Sequence, residues 1–241
     1  MTEAAIEPAA TEETVTEGQR LDRRFELYEV ILLAIAGVLT AWCAFQSTKW
    51  SGVQADSYAR AGAARTESSR AATRAGQVTA IDVNTFTSWI AAIAAEQRDG
   101  RPTGVATDGT YHPVADQQSG FLYARFRPEF KVAVDAWLAQ RPLTNPSAAP
   151  TPFALPQYQV ADNARADDFE KQSDDFSADA RAANQTGDNY VMLTILFTLA
   201  LVLVGLGTKM DTLRARLFLL VTAITTLLVA LIVMITYPIQ V

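Results

Sequence analysis

Apolar positions in this chain follow two regimes. In three places they run almost unbroken: Tyr28 to Phe45, Tyr190 to Gly207 and Leu217 to Tyr237, of 18, 18 and 21 residues. About 17–25 helical residues cross the hydrocarbon core of a bilayer. The second and third runs hold no charged side chain, and the first holds only Glu29, at its start. A charge at mid-bilayer costs at least ~2.5 kcal/mol, so the pattern predicts three transmembrane helices.

Between the first two runs the apolar residues become periodic. From Gln46 to Asp99 only Gly52, Gly62 and Gly76 interrupt a stretch rich in Ala, Arg, Gln and Glu, which favours helix. The first span is predicted to continue as a helix to about Ala75, a reach of ~45 Å. Gly76 then marks a kink or turn, after which Val78, Ile81, Phe86, Trp89, Ile90 and Ile93 make a broad apolar face. Residues 99–120 read as a loop. Phe121 to Gln140 reads as a helix that begins or kinks at Pro128, and Arg141 to Gln157, with five prolines, as an extended strap. Val160 to Gly187 is a polar helix with Phe169, Phe176 and Ala183 every seventh residue, the seam of a long helical partner. Residues 46–75 and 160–189 then pair as an antiparallel stalk.

The predicted fold class is therefore all-α: three transmembrane helices, with a long-helix extramembrane domain inserted between spans 1 and 2. In that domain two capping helices and the strap close the far end of the stalk. The expected divisions are an acidic disordered tail (1–27), span 1 (28–45), the helical domain (46–189, strap 141–157), span 2 (190–207), a short loop (208–216), span 3 (217–237) and a tail (238–241).

Composition narrows the function. The chain is 49% hydrophobic and 19% charged, with mean hydropathy +0.08 and net charge −6. That is too apolar for a disordered protein and too acidic for nucleic-acid binding. A single cysteine, Cys43, excludes an intrachain disulfide framework or a thiolate zinc site, and a single histidine, His112, leaves no catalytic or metal constellation. No Gly-rich phosphate loop, Walker pattern or nucleophile elbow appears. No enzyme activity, catalytic residue, metal or cofactor is expected. The bulky Trp42 before Cys43 does not suit lipoprotein cleavage, and the acidic segment before the first span makes it a signal anchor instead of a cleaved signal.

Orientation follows the basic residues near the span ends. Arg20, Arg23, Arg24, Lys209, Arg214 and Arg216 lie on one side, and Lys49, Arg60 and Arg181 on the other. Six against three puts the N-terminus in the cytoplasm and residues 46–189 outside it. Residues 1–27 carry seven acidic and three basic side chains and no apolar period, the composition of a solvated tail. Its Thr11, Thr14 and Thr16 are docking or phosphorylation candidates.

Several residues invite a functional reading. Gln46, Trp50 and Gln54 share one helix face where the first span leaves the membrane: either a ligand or oligomer contact at a bundle mouth, or an interfacial aromatic belt with glutamines bonded to neighbouring helices. Ala34, Gly37, Ala41 and Ala44 form a small-residue packing face, which serves either the other two spans or another protomer. Thr194, Thr198, Thr222, Thr225 and Thr226 suit hydrogen bonds within or between spans, and no span carries the mid-membrane acid or base of a transporter. Glu29 is expected to pair with Arg214 or Arg216. Asp167, Asp168, Glu170, Asp174, Asp175 and Asp179 lack the turning, glycine-bearing loop of a calcium site and read as a solvated face with Arg60, Arg65, Arg70 and Arg74 as partners. His112 reads as a surface histidine.

The run Trp42-x-x-Phe45-Gln46-x-x-x-Trp50-x-Gly52-x-Gln54-Ala55 resembles one in a widespread group of bacterial three-span membrane proteins. So do Ile81-Asp82-Val83-x-Thr85-Phe86-x-x-Trp89 and Arg125-Phe126-Arg127-Pro128-Glu129-Phe130-Lys131. The Asn145-Pro146, Pro150-x-Pro152-Phe153 and Asn184-Gln185-x-Gly187-Asp188-x-Tyr190 segments are similar as well. The resemblance covers most of residues 25–241. It implies bacterial origin and three spans; the group has no assigned activity and supplies no catalytic residues.

The expectation is a non-enzymatic protein of the bacterial cytoplasmic membrane, in contact with the lipid bilayer. It pairs with itself or with a membrane protein partner and binds no nucleic acid, as a scaffold or interaction protein of the envelope. The alternatives are a ligand-sensing module acting through a separate partner, and an oligomeric pore.

Overall fold

The computed structural model describes residues 17–142 and 144–240, and of residues 17–24 the helical backbone alone. Five α-helices follow one another: α1 (Glu17–Arg98), α2 (Gln118–Tyr123), α3 (Pro128–Leu138), α4 (Ala161–Gly207) and α5 (Leu213–Ile235), with a 3-10 turn at Pro152–Ala154. Among the described residues there is no strand, only an isolated bridge between Val105 and Tyr111. Three of the helices, α1, α4 and α5, are long and apolar enough to cross a membrane. Of their most apolar windows only 17%, 33% and 22% is buried inside the chain. So much exposed aliphatic surface is untenable in water and suits lipid.

Contacts divide the described residues into two compact units: one comprises those up to Tyr58 and those from Ala178 onward, the other is Ala59–Ser177.

In the first unit, α1 turns one stripe toward α4 and α5. Buried Glu29, Ala36, Cys43 and Gln46, with half-buried Leu32, Leu39 and Trp50, recur at three and four along it. Tyr190, Leu193, Phe197 and Ala200 of α4 and Leu227 and Ala230 of α5 complete the cluster. The alanines lower the profile of the stripe, letting helix backbones approach where lipid supplies no hydrophobic drive. Helix α1 begins at Glu17, so part of the expected 1–27 tail is helical; residues 1–16, with the three threonine candidates, lie outside the described residues. Helix α5 begins at Leu213, four residues before the apolar run, and ends at Ile235.

In the second unit, α1 passes Gly76 without a break, which corrects the expected kink. A mid-helix glycine costs ~1 kcal/mol against alanine, too little to interrupt a helix whose neighbours favour it. The seam of α1 here is Ala61, Ala64, Ala71, Ala75 and Asp82, with half-buried Ser68 and Val78 between them. On α4 the buried positions are Ala166 and Ser173, flanked by half-buried Phe169 and Phe176. Arg65 shares a groove with Glu170 and Asp174, and Arg74 shares one with Arg165 and Asp168, so the two helices run antiparallel. Ile81, expected on the apolar face, is 63% exposed. The buried face steps through Asp82, Phe86, Trp89, Ile93 and Glu96 at four and three, and Ile81 stands a hundred degrees off it.

Past Arg98 the chain folds back onto that face. Phe86, Trp89, Phe126, Phe130, Trp137, Phe153 and Tyr158 pack ring to ring, with Phe153 stacked on Phe130 at 5.1 Å. The predicted helix over 121–140 is split between α2 and α3, because Pro128 sits in the first turn of α3 and starts it afresh. The proline-rich segment is a chain of turns instead of an extended strap. Proline lacks only the donor, and the Pro152 carbonyl accepts from Leu155 N–H at 3.2 Å. The indole of Trp137 donates to the Ala149 carbonyl at 2.7 Å, pinning these turns to α3.

Candidate functional site

The membrane-mouth residues meet the chain's own tail. Gln46 is fully buried; its Nε2 donates to the Gln240 carbonyl and its Oε1 accepts from Gln240 N–H, each at 2.9 Å. Trp50 Nε1 donates to the Pro238 carbonyl at 3.2 Å, and the Tyr190 hydroxyl donates to the same oxygen at 3.2 Å. The Tyr190 ring also packs against Tyr237, 5.8 Å between centroids. Pro238 has no N–H to donate, and residues 238–240, past the end of α5, adopt no regular structure and are clamped from α1 and α4. Gln54, half-buried, stands outside this clamp. Close approach of the helices is set at Gly187, where a Cβ would lie 3.7 Å from the Ser47 carbonyl oxygen and from Trp50 Cβ. Tyr190 and the tail were not legible as partners, since nothing in the spacing of residues 237–240 announces where they fold.

A second polar latch holds the other end of α5. Of the two arginines anticipated for Glu29, the structure selects Arg216: Nε and Nη2 each meet a Glu29 carboxylate oxygen at 2.8 Å, while Arg214 is exposed. Glu29 is 2% exposed, and the fork geometry satisfies both its oxygens. Between the latches Cys43 Sγ approaches Met234 Sδ at 3.7 Å.

The small-residue face has a different neighbourhood. Ala34, Ala41 and Ala44 are exposed, Gly37 is half-buried, and a Cβ on Gly37 would meet nothing within 4 Å. The stripe buried against α4 and α5 is the adjacent one through Ala36 and Cys43. The five threonines all donate to the carbonyl four residues earlier, Thr194 to Tyr190 and Thr225 to Val221 among them, so their hydroxyls stay within their own helices.

The second unit holds its own buried polar contacts. Asp82, 2% exposed, accepts from Arg127 Nη2 at 2.9 Å and from the Tyr158 hydroxyl at 3.2 Å. The bond to Asp82 pushes the Arg127 pKa up, and burial pushes that of Tyr158 up. Glu96, 1% exposed, caps α2 by accepting from Ser119 N–H at 2.8 Å and Ser119 Oγ at 2.6 Å. Tyr123 bonds Asp135 and lies 2.9 Å from Lys131 Nζ. Sequence reading missed Asp82 and Glu96; an acid recurring in step with Phe86, Trp89 and Ile93 was the available signal.

His112 is exposed, with its backbone N–H bonded to the Gly104 carbonyl at 2.8 Å. The acids at 167, 168, 170, 174, 175 and 179 are exposed along α4, and among the described residues no three His, Cys, Asp or Glu side chains gather as a metal site. The ion pairs of Arg70 and Arg165 stay within their own helices, with Glu67 at 2.5 Å and Asp162 at 3.6 Å. A groove of ≈ 340 Å³ between α1 and α4 is lined by Arg65, Ser68, Ser69, Glu170, Ser173 and Asp174, and the Ser173 hydroxyl, buried, has no hydrogen-bond partner.

These features define an all-helical protein with three membrane-length helices and two polar latches on the third. No family model, curated protein or solved structure matches the chain.

Proposed function

We propose that this protein is a non-enzymatic scaffold of the bacterial cytoplasmic membrane, oligomeric or joined to a membrane protein partner. The N-terminus is cytoplasmic, and residues 46–189 form a helical domain outside the membrane, inserted between spans 1 and 2. The observation that carries this reading is the bare face of α1: Ala34, Ala41 and Ala44 stand uncovered by the chain's own helices. Small faces of this kind admit a further helix at close range in lipid. Latching at both ends suits a rigid platform better than a moving gate.

Crosslinking in cells, with mass photometry of the protein extracted in native nanodiscs, tests the proposal. Complexes larger than one chain are expected. A lone monomer with no captured partner ends the reading.

The groove over the unpaired Ser173 hydroxyl favours a second reading, ligand sensing through a partner. Thermal-shift screening of the full chain against amino acids, amines and dicarboxylates separates the two. Stabilisation lost in Ser173→Ala supports sensing, and no shift with any compound excludes it for these classes.

A further inference from the structure

Within the Ala59–Ser177 unit the groove of ≈ 340 Å³ between α1 and α4 lies at the low end of the size range of small-molecule sites. Its walls carry unlike charge, with Arg65 on α1 and Glu170 and Asp174 on α4, all three exposed. The ion pairs nearby, Arg70–Glu67 and Arg165–Asp162, form inside single helices, and among the described residues Arg65, Glu170 and Asp174 enter none. Ser173 is the buried side chain of the groove, 3% exposed, and its hydroxyl has no hydrogen-bond partner. A helical hydroxyl commonly settles on the carbonyl four residues back, as Thr66 and Thr73 do on α1 and Thr186 on α4. Ser173 forgoes that bond, so its hydroxyl is left to the groove it lines. A buried hydroxyl without a partner is destabilising, and here only an occupant of the groove can supply one. The other groove between these helices, ≈ 350 Å³ around Ala71 and Phe169, holds no such atom, and its Glu67 and Arg165 are already paired.

We propose that this groove binds a basic α-amino acid, of the lysine, ornithine or arginine class. One carboxylate and two cationic groups match one guanidinium and two carboxylates in number and in sign. Arg65 takes the ligand carboxylate by its planar fork, a pairing for which guanidinium is preorganised. Glu170 and Asp174 stand four residues apart on α4, about 6 Å along its axis, a span that the two cationic ends of such a ligand bridge. The Ser173 hydroxyl bonds the ligand's polar groups and so gains the partner it lacks. A neutral amino acid leaves one carboxylate of the groove unanswered, and a dicarboxylate meets two charges of its own sign. The proposal supplies the ligand class for the sensing reading above, and it rests on that reading.

The test uses the full chain in nanodiscs, titrated with L-lysine and L-arginine and followed by calorimetry and thermal shift. Half-saturation is expected below ~1 mM at low salt, weakening several-fold at ~500 mM salt as the exposed charges are screened. L-Alanine, which lacks the second cation, L-glutamate, which reverses its charge, and cadaverine, which lacks the carboxylate, are each expected to bind at least tenfold more weakly. Arg65→Gln and Glu170→Gln/Asp174→Asn are expected to lose at least tenfold in affinity for lysine, and Arg74→Gln, in the other groove, to lose none. Ser173→Ala is expected to unfold at a higher temperature without ligand, because it removes an unpaired hydroxyl and favours helix, yet to lose most of the shift that lysine produces. A serine with a purely structural part would lower stability and leave that shift in place. Lysine binding indifferent to Arg65→Gln and Ser173→Ala overturns the site. Tighter binding of glutamate, alanine or cadaverine, lost in Ser173→Ala, overturns the ligand class and leaves the sensing reading intact. No binding of any of these compounds up to ~10 mM overturns both.

Discussion

Gln46 holds the main chain of Gln240 by both of its polar groups: its side-chain amide donates to the carbonyl and accepts from the N–H, at 2.9 Å each. One α1 side chain thereby stands in for a neighbouring strand and satisfies the backbone of a segment that has left its helix. Groups that have left the helical ladder need partners from outside it, and the fully buried Gln46 amide supplies both.

Replacing Gln46 by Leu leaves the Gln240 N–H and carbonyl without these bonds. The expected cost is about 1–3 kcal/mol, against roughly 1 kcal/mol for Trp50→Phe, which removes a single bond. Thermal unfolding in detergent micelles ranks the two. A second readout is local: on a Cys43→Ser background, maleimide labelling of Gln240→Cys is expected to quicken at least tenfold when Gln46 is Leu. Equal labelling rates would refute the clamp.

The Glu29–Arg216 pair is expected to behave as a buried ion pair. Removing one partner, as in Glu29→Ala, leaves a charge uncompensated and costs about 3–5 kcal/mol. The double replacement Glu29→Leu/Arg216→Leu is expected to recover most of that loss, since an apolar pair of similar volume carries no desolvation penalty. A double-mutant cycle on unfolding in micelles gives the coupling. Additive losses would show that the pair, bonded at 2.8 Å, contributes nothing jointly.

Alkali is expected to weaken the second unit. Burial raises the Tyr123 and Tyr158 pKa values above the usual 10.0, with Asp135 adding to the effect at Tyr123. Lys131 is raised too: burial opposes this, but its hydrogen bonds to Tyr123 and Asp135 prevail. All three groups hold their protons more tightly when folded. Their stabilisation is therefore complete below the unfolded-chain values near pH 10 and is lost as pH climbs through the raised folded ones. Urea unfolding followed by tryptophan fluorescence should fall in midpoint between pH 9 and 11. Tyr158→Phe should flatten that slope, and an unchanged slope would contradict the tyrosine's part in it.

Two glycines separate helix continuity from turn geometry. Gly76→Ala is expected to stabilise the protein by about 0.5–1 kcal/mol, because α1 is unbroken there and a Cβ meets nothing within 4 Å. Gly120→Ala is expected to unfold the Ala59–Ser177 unit, since its Cβ would lie 2.0 Å from the Val114 carbonyl oxygen. Circular dichroism melts of both variants check the pair; a loss of stability at Gly76 would restore the kink.

The sequence by itself determined the helices and the apolar lengths. Unbroken apolarity over Tyr190–Gly207 and Leu217–Tyr237 needs no partner to be read, because the helix closes its own hydrogen bonds and side-chain hydrophobicity alone decides whether it suits lipid. Seven-residue recurrence likewise announced that α4 has a helical neighbour, and the charge pattern that Glu29 has an arginine. Which arginine, and which stripe of α1 packs, were decided only in three dimensions. Ala34–Ala44 is the smaller stripe on paper, yet the one that packs runs through Ala36, Leu39 and Cys43, and the choice depends on where Tyr190, Phe197 and Leu227 project. The turns at 141–157 and the clamp on 238–240 belong to the same class. Their bonds join residues more than a helical turn apart, and local propensity carries no information about such partners.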